Sequence, residues 1–521
     1  MVPEHLHLLT ILLLLPLAGA FVIGVCPGSW SRRLAIYLTS AMVFVCAAAA
    51  TGFHPGQVGM QFSEQISWIR APLPVDYHVG VDGLSLCLVA LTSIVTFASV
   101  LASKNVGENR PRLYYSLLML LTASITGVFV SQDLIQFFVL YELELVPMYF
   151  LIAIWGGPRR DYAAMKFLIY TFFGGIFMLA ALLYLYYQLG LLGAGYQTFD
   201  MVKLATCSPM LGKVVQLVAC LGFMLAFMIK LPSFPFHTWL PDAHVEAPTP
   251  VSMILASLLL KMGAYGLVRI CLGFFPDAIV GLGTGLMALG AFNIVWAAIA
   301  CLVQDDMKRV IAFSSVSHMG FVTLGIGSLS AAGLNGAIFQ MISHGFISAA
   351  LFFLVGTVYD RCHTRKISEI GGGLARQMPA IFYFWLLASL ANLGLPALSG
   401  FVAEATVFYG AFTSPMAEIA SQSAFVHTVI VVAATGIIMT AAYMLWLLKR
   451  LFYGPELDKW SGHLSGMKAW EVVVASVLCL FVVGLGVYPR ALTDRYTPLA
   501  DRMAQDAASH LTLGMRSYTI D

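Results

Sequence analysis

Long apolar runs recur along this 521-residue chain with little polar sequence between them. A helix needs about 20 such residues to cross the hydrocarbon core of a bilayer. About fourteen runs qualify, near 7–25, 34–52, 84–103, 113–130, 133–155, 166–190, 214–231, 248–272, 278–302, 309–328, 333–358, 379–412, 425–448 and 470–488. A β-barrel would instead show alternating segments of about ten residues. The pattern therefore predicts an all-α polytopic membrane protein, a bundle of about fourteen helices. The opening "MVPEHLHLLTILLLLPLAGA" resembles a signal peptide, but it carries Glu4 where a basic head is expected and a second span follows at once. It reads as a retained first helix.

The longest polar stretches are 53–83, 191–213 and 450–469, too short for a linker between domains, so one membrane domain over 1–521 is expected. Two spans are interrupted in comparable ways, by "KLPSFPFHTWLP" within 214–247 and by "LGLPALSGFVAE" within 379–412. Proline-broken spans in two halves of a membrane chain point to inverted repeats, with the ion site at the breaks. The expected division is helices 1–3 in 1–112, a five-helix repeat (helices 4–8, the seventh broken) in 113–272, a second (helices 9–13, the twelfth broken) in 273–449, and a loop, helix 14 and tail in 450–521.

Composition sharpens this picture. Charged residues make up only 10% of the chain, against about 25% in soluble domains. Of the 28 Lys and Arg, eighteen fall on the side reached after the first span and eight on the other side or in the tails. Basic loops stay cytoplasmic, so both termini are expected on the non-cytoplasmic side. A net charge of +2 spread over this length offers no basic face for nucleic acid. The nine cysteines form no CxxC pair and lie mostly within spans, where Cys acts as a small hydrophobe. No nucleotide-binding glycine motif or haem-attachment motif occurs, so the chain is expected to move ions while redox chemistry sits elsewhere.

The remaining two basic residues, Lys230 and Lys261, are inside the spans, with Glu142, Glu144, His318, His344 and Glu404. A charge at a helix centre costs about 2.5–3.5 kcal/mol on insertion scales, which makes each such residue a functional candidate. A proton relay uses this mixture: burial favours neutral forms of both ammonium and carboxyl groups, and histidine titrates near neutrality already. Simpler roles compete. Lys230 can snorkel from the end of its span, whereas Lys261 is too deep for that. The histidines can hydrogen-bond across helices, and Glu404 can cap a half-helix. Glu142 and Glu144 are two residues apart and point about 200° from each other on a helix, so one is the working acid. His237, Asp242, His244 and Glu246 in "HTWLPDAHVE" match no metal-ligand spacing. They are expected to satisfy unwound backbone or line a wet mouth. Asp82 is expected to N-cap the span that follows it.

With these residues on the page, the chain resembles the antiporter-like proton-pumping subunits of respiratory and photosynthetic complex I and of Mrp cation/proton antiporters. The resemblance runs through "YELELVPMYFLIAIWGG", "KLPSFPFHTWLPDAHVEAPTPVS", "LLLKMGAYGLVR", "KRVIAFSSVSHMGFV", "QMISHG" and "LPALSGFVAE". It is closest to the chain-4 type, because Glu404 stands where chains 2 and 5 and the Mrp D type usually carry lysine. No long carboxy-terminal helix of the chain-5 kind is expected either. The resemblance implies that Glu142 pairs with Lys230, and that Lys261 passes protons toward His318, His344 and Glu404. It implies NADH, flavin and iron–sulfur groups, or ferredoxin, and quinone in partner subunits, with no cofactor in this chain. The implied partners are chain-2 and chain-5 type antiporter-like subunits, small membrane chains and a peripheral redox arm. The implied location is an energy-coupling membrane, bacterial inner or thylakoid. "ELEL" and "GGPRRDYAAMKFLIYT" resemble the photosynthetic branch, which leaves NADH or ferredoxin as donor and a CO2-uptake variant open; an Mrp-type antiporter subunit is the rival reading.

Overall fold

The computed structural model describes residues 7–57, 59–70, 73–460, 462 and 464–518. Among them thirteen helices are long and apolar enough to span a bilayer, each over one of the predicted runs. Glu4 and the extreme chain ends lie outside the described residues. The remaining run, 379–412, is two half-helices, Pro379–Asn392 and Ser399–Phe412. The other interrupted run is Lys213–Lys230, a turn, then Trp239–Glu246. Proline supplies no backbone N–H and disfavours helical geometry in the residue before it, so Pro232 and Pro396 stop both helices. Each stop closes with a wide bond reaching back five residues, Ser233 N–H to the Met228 carbonyl and Leu395 N–H to the Leu390 carbonyl, both 3.0 Å. Gly394 takes φ of 76° at the second break, a left-handed conformation that glycine adopts without strain.

Two helices have their central stretches buried inside the bundle, Thr249–Leu272 and Ala331–Cys362, whereas Gly28–Gly52 and Arg160–Leu192 turn much of their surface outward. The buried Thr249–Leu272 helix contains two π-helical stretches, Leu255–Leu259 and Leu267–Leu272. Such wide turns weaken the regular ladder and are frequent at functional sites.

Loops gather at two ends. At one, Arg450 pairs with Asp305 at 3.0 Å, and the backbones of Asp306 and Lys366 meet in an isolated antiparallel β-bridge. There a polar cavity of about 540 Å³ is lined by Arg159, Glu246, Asp305, Asp306, Arg309 and Arg365. Loops assigned to the basic side thus meet one another. At the opposite end is an element the hydropathy pattern does not foresee, an antiparallel hairpin of Gln61–Ile69 and Val75–Val81. Its second strand is tied down where Gln132 N–H reaches the His78 carbonyl at 2.8 Å and the His78 ring meets Asp200 at 3.2 Å.

The tail also departs from expectation. Arg490–Tyr518 is a 29-residue helix, where no long carboxy-terminal helix is expected. It is too polar to register as a span, but Leu492, Tyr496, Ala500, Met503 and Ala507 recur at helical spacing and make one apolar stripe. The stripe lies across the hairpin end, with the Tyr496 hydroxyl 3.2 Å from the Asn335 carbonyl and His510 3.0 Å from Asp277.

Candidate functional site

The run expected at 133–155 divides at Glu144 into Leu134–Leu143 and Leu145–Trp155. Pro147 has no N–H to give the Leu143 carbonyl, so the ladder fails there. The distortion swings the Glu144 carboxylate inward. Its Oε1 lies 2.7 Å from Lys230 Nζ, with side chains 0% and 2% exposed. The Lys230 ammonium also donates to the Tyr141 carbonyl at 3.2 Å and sits 3.4 Å from the centre of the Tyr141 ring, a cation–π contact. The pairing expected for Glu142 is therefore made by Glu144. Glu142 points to the Arg160–Leu192 helix, where a Cβ on Gly175 would come within 2.3 Å of its Oε1. That oxygen is buried with no hydrogen-bond partner among the described residues. The glycine leaves the room that the carboxyl occupies.

Lys261 lies between the two π-helical stretches and is fully buried. Its Nζ donates to the Ala256 carbonyl at 2.8 Å and lies 2.7 Å from His344 Nδ1. No acid touches it among the described residues. Gln340, His344 and Ser348 share one face of the Ala331–Cys362 helix at four-residue spacing, and Ser348 reaches Ser257 beside Lys261's own turn, at 3.5 Å. From His344 the chain of groups runs to His318, ring centres 5.5 Å apart, and from His318 Nδ1 to Glu404 Oε1 at 3.3 Å. The order in space is Lys261, His344, His318, Glu404, which reverses the two histidines relative to the sequence expectation. Glu404 sits one turn into the second half-helix and faces Gly394 at the break.

His318 Nδ1 has two neighbours, the Gln340 amide nitrogen at 3.1 Å and Glu404. An unprotonated Nδ1 accepts from the amide; a protonated one donates to the carboxylate.

The "HTWLPDAHVE" groups do not converge. Asp242 is bound by Lys166 at 2.8 Å and Arg309 at 3.3 Å. His237 lies 4.5 Å from the Trp296 ring. His244 stacks on Phe352 at 4.4 Å, and neither of its ring nitrogens has a partner among the described residues. Glu246 accepts from the Arg159 backbone at 3.0 Å, at the edge of the polar cavity.

Three buried groups escape the sequence reading. Lys308, counted there as a loop cation, is 4% exposed and donates to the Ala247 carbonyl at 2.6 Å. Asn293 accepts from the Phe234 backbone N–H at 2.9 Å and holds the first break. Asp82 caps its helix as expected, accepting from Ser85 N at 2.9 Å, but it also forms a buried ion pair with Arg269. Arg269 is four and eight residues beyond Tyr265 and Lys261, a spacing that could have flagged it.

Comparisons with known proteins bear on the family and the fold. A family model described as "NADH:quinone oxidoreductase/Mrp antiporter, TM" matches residues 131–431. The chain is 42% identical over 502 residues to the NAD(P)H-quinone oxidoreductase chain 4 of Gloeobacter violaceus, covering 95% of this chain and 92% of that protein. It is 39% identical over 505 residues to chain 4-1 of a Synechocystis species, covering 96% and 94%. Among solved structures, a chain of respiratory complex I from Thermus thermophilus superposes with a TM-score of 0.83 at 26% identity, covering 96% of this chain and 99% of that one. A chain of the Mrp complex from a Dietzia species shares the fold, with a TM-score of 0.82 at 19% identity over 97% of this chain and all of that one.

Proposed function

Because the chain belongs to the membrane-subunit family shared by NADH:quinone oxidoreductases and Mrp antiporters, we propose that it is the chain-4-type proton-translocating subunit of a quinone oxidoreductase. The observation that carries this reading is the buried line Lys261–His344–His318–Glu404, preceded by the Glu144–Lys230 ion pair. Six titratable groups in an apolar bundle are costly unless they act. Glu144 and Lys230 form the switchable pair: contact holds the two groups together at 2.7 Å, and separation leaves Lys230 without its carboxylate. Lys261, without an acid at hand, takes up and gives on a proton through His344 and His318 to Glu404. Electron donor, flavin, iron–sulfur groups and quinone belong to partner subunits, and this chain contributes proton transfer alone.

The parallel breaks at Pro232 and Pro396, each closed by a bond reaching back five residues, support two repeats of opposite orientation. The gathering of Arg159, Arg309, Arg365 and Arg450 at the cavity end supports a cytoplasmic assignment for that end. Affinity purification of the tagged chain from its native membrane tests the reading. Quinone oxidoreductase subunits should accompany it, and vesicles should acidify when given NADPH or reduced ferredoxin with quinone. Co-purification with cation/proton antiporter subunits alone, and sodium-dependent proton exchange that needs no electron donor, would overturn it.

A further inference from the structure

A proton carrier in the middle of a membrane must not face both aqueous phases at once, and the helix that carries Lys261 continues toward the hairpin end with polar side chains. Tyr265 and Arg269 follow at four and eight residues on the same face, so the Arg269 Cα is about 12 Å farther along the axis. Ser85 Oγ is 3.2 Å from Tyr265 Oη, which lies 3.4 Å from the Phe129 carbonyl. A row of hydroxyls leading away from a titrating lysine is a route along which water and protons can pass. At its end, however, stands a fixed cation. Arg269 Nε donates to Tyr265 Oη at 3.3 Å, while Nη2 binds the Asp82 carboxylate and lies 3.4 Å from Ser85 Oγ. Both charged side chains are almost completely buried, at 7% and 5% exposure. Asp82 is fixed in turn by capping the Gly83–Ala102 helix.

We propose that the Asp82–Arg269 pair is a fixed-charge plug that closes the Lys261 chain toward the hairpin end. The inference rests on the proton-relay reading of Lys261. A guanidinium does not deprotonate in proteins, so it cannot relay, and its field opposes an arriving proton. The rings of Phe129 and Phe137 flank Tyr265 at 5.4 and 6.4 Å and narrow the passage with apolar surface. A buried ion pair is a poor source of stability compared with apolar packing, whereas a charge barrier needs a cation at this place.

The test is passive proton flux through the intact complex in liposomes containing a pH-sensitive dye, with no electron donor and a potassium diffusion potential as driving force. The double variant D82N/R269Q removes both charges, leaves no uncompensated ion, and keeps an asparagine able to cap the helix. Flux should rise about tenfold or more, which corresponds to a barrier lowered by about 1.4 kcal/mol or more. Adding Lys261→Met should return it to the parent level. A double variant as tight as the parent overturns the plug, and a leak that survives Lys261→Met shows a path that bypasses this chain and overturns it equally. If the double variant fails to assemble, Arg269→Lys decides: an ammonium can give up its proton where a guanidinium cannot, so a flux above the parent that Lys261→Met abolishes supports the plug, and flux at the parent level overturns it. Donor-driven pumping of Lys261→Met alone tests the relay reading separately, since normal pumping by that variant removes the relay whatever the plug does.

Discussion

Replacing Glu144 by glutamine removes the one carboxylate that forms an ion pair with Lys230 among the described residues, while keeping the side chain's shape. The pair is separated by 2.7 Å and both side chains are at most 2% exposed. At an effective dielectric constant of about 20, Coulomb attraction over that distance is about 6 kcal/mol. Stripping one partner from a buried pair costs about 3–5 kcal/mol, because the site relaxes. Even the lower figure, about 3 kcal/mol, corresponds to more than about a hundredfold in an equilibrium constant. The cation–π contact with Tyr141 is already made in the parent, so it does not make good the loss. Proton pumping by Glu144→Gln, measured as donor-driven dye quenching in proteoliposomes at matched assembly, should fall below about a tenth of the parent. Glu142→Gln should keep more of its pumping than Glu144→Gln, since Glu142 makes no ion pair with Lys230 among the described residues. The opposite result, with Glu142→Gln inactive and Glu144→Gln pumping normally, would show that the family pattern identifies the working acid and that the observed ion pair is only packing.

Three further outcomes are expected. Lys261→Arg should impair pumping almost as much as Lys261→Ala, because a guanidinium stays protonated and cannot relay; an arginine variant that pumps like the parent would reduce the site to a fixed charge. A cysteine at Ser368, exposed at the cavity end, should resist an impermeant thiol reagent in right-side-out vesicles and react in inverted ones, and the reverse would invert the proposed orientation. Gly263→Ala places a Cβ 2.6 Å from the Phe227 carbonyl oxygen and 2.7 Å from the Leu231 nitrogen, both backbone atoms. It should lower the thermal midpoint of the purified complex through about 1–3 kcal/mol of overpacking, and an unchanged midpoint would refute the close approach.

Apolar periodicity made most of the helices legible, because the length of a span is set by the bilayer and not by tertiary contacts. It did not reveal the hairpin or the tail helix, whose apolar positions are too sparse for a span. In "QFSEQISWI" the alternation of Phe62, Ile66 and Trp68 with polar neighbours was the available signal. Each site residue could be picked out singly, since a charge within an apolar run stands out. Which residues meet could not. The choice between Glu142 and Glu144 depends on the turn lost at Pro147, and a regular helix drawn through that proline gives the wrong facing. The order of His344 and His318 depends on how two helices pack, which sequence separation does not encode. Lys308 was taken for a loop cation because it stands at a helix start, where exposure is the usual outcome.

No side-chain hydrogen bond or ion pair joins Lys230 to Lys261 among the described residues, so whatever passes between the ion pair and the proposed relay uses the field or the backbone. The backbone contacts are close. Gly263, two residues from Lys261, leaves its helix resting on the Phe227–Leu231 backbone that ends in Lys230. The turn after Lys230 is fixed by Asn293 on the Pro276–Leu302 helix. That same helix lies against the one bearing His318 through Gly290 and Gly320, where a Cβ on either would come within 2.7 Å of the other's carbonyl oxygen. Packed interiors pass on displacement because they hold few voids to absorb it. A change in the Glu144–Lys230 separation that shifts the Pro232 turn therefore loads two contacts at once, one onto the Lys261 helix and one, through Asn293, onto the helix that supports His318. Since Lys261 and His318 lie on either side of His344, a small relative movement of those two supports would change both gaps of the proposed relay together. The ion pair needs no polar bridge to reach them.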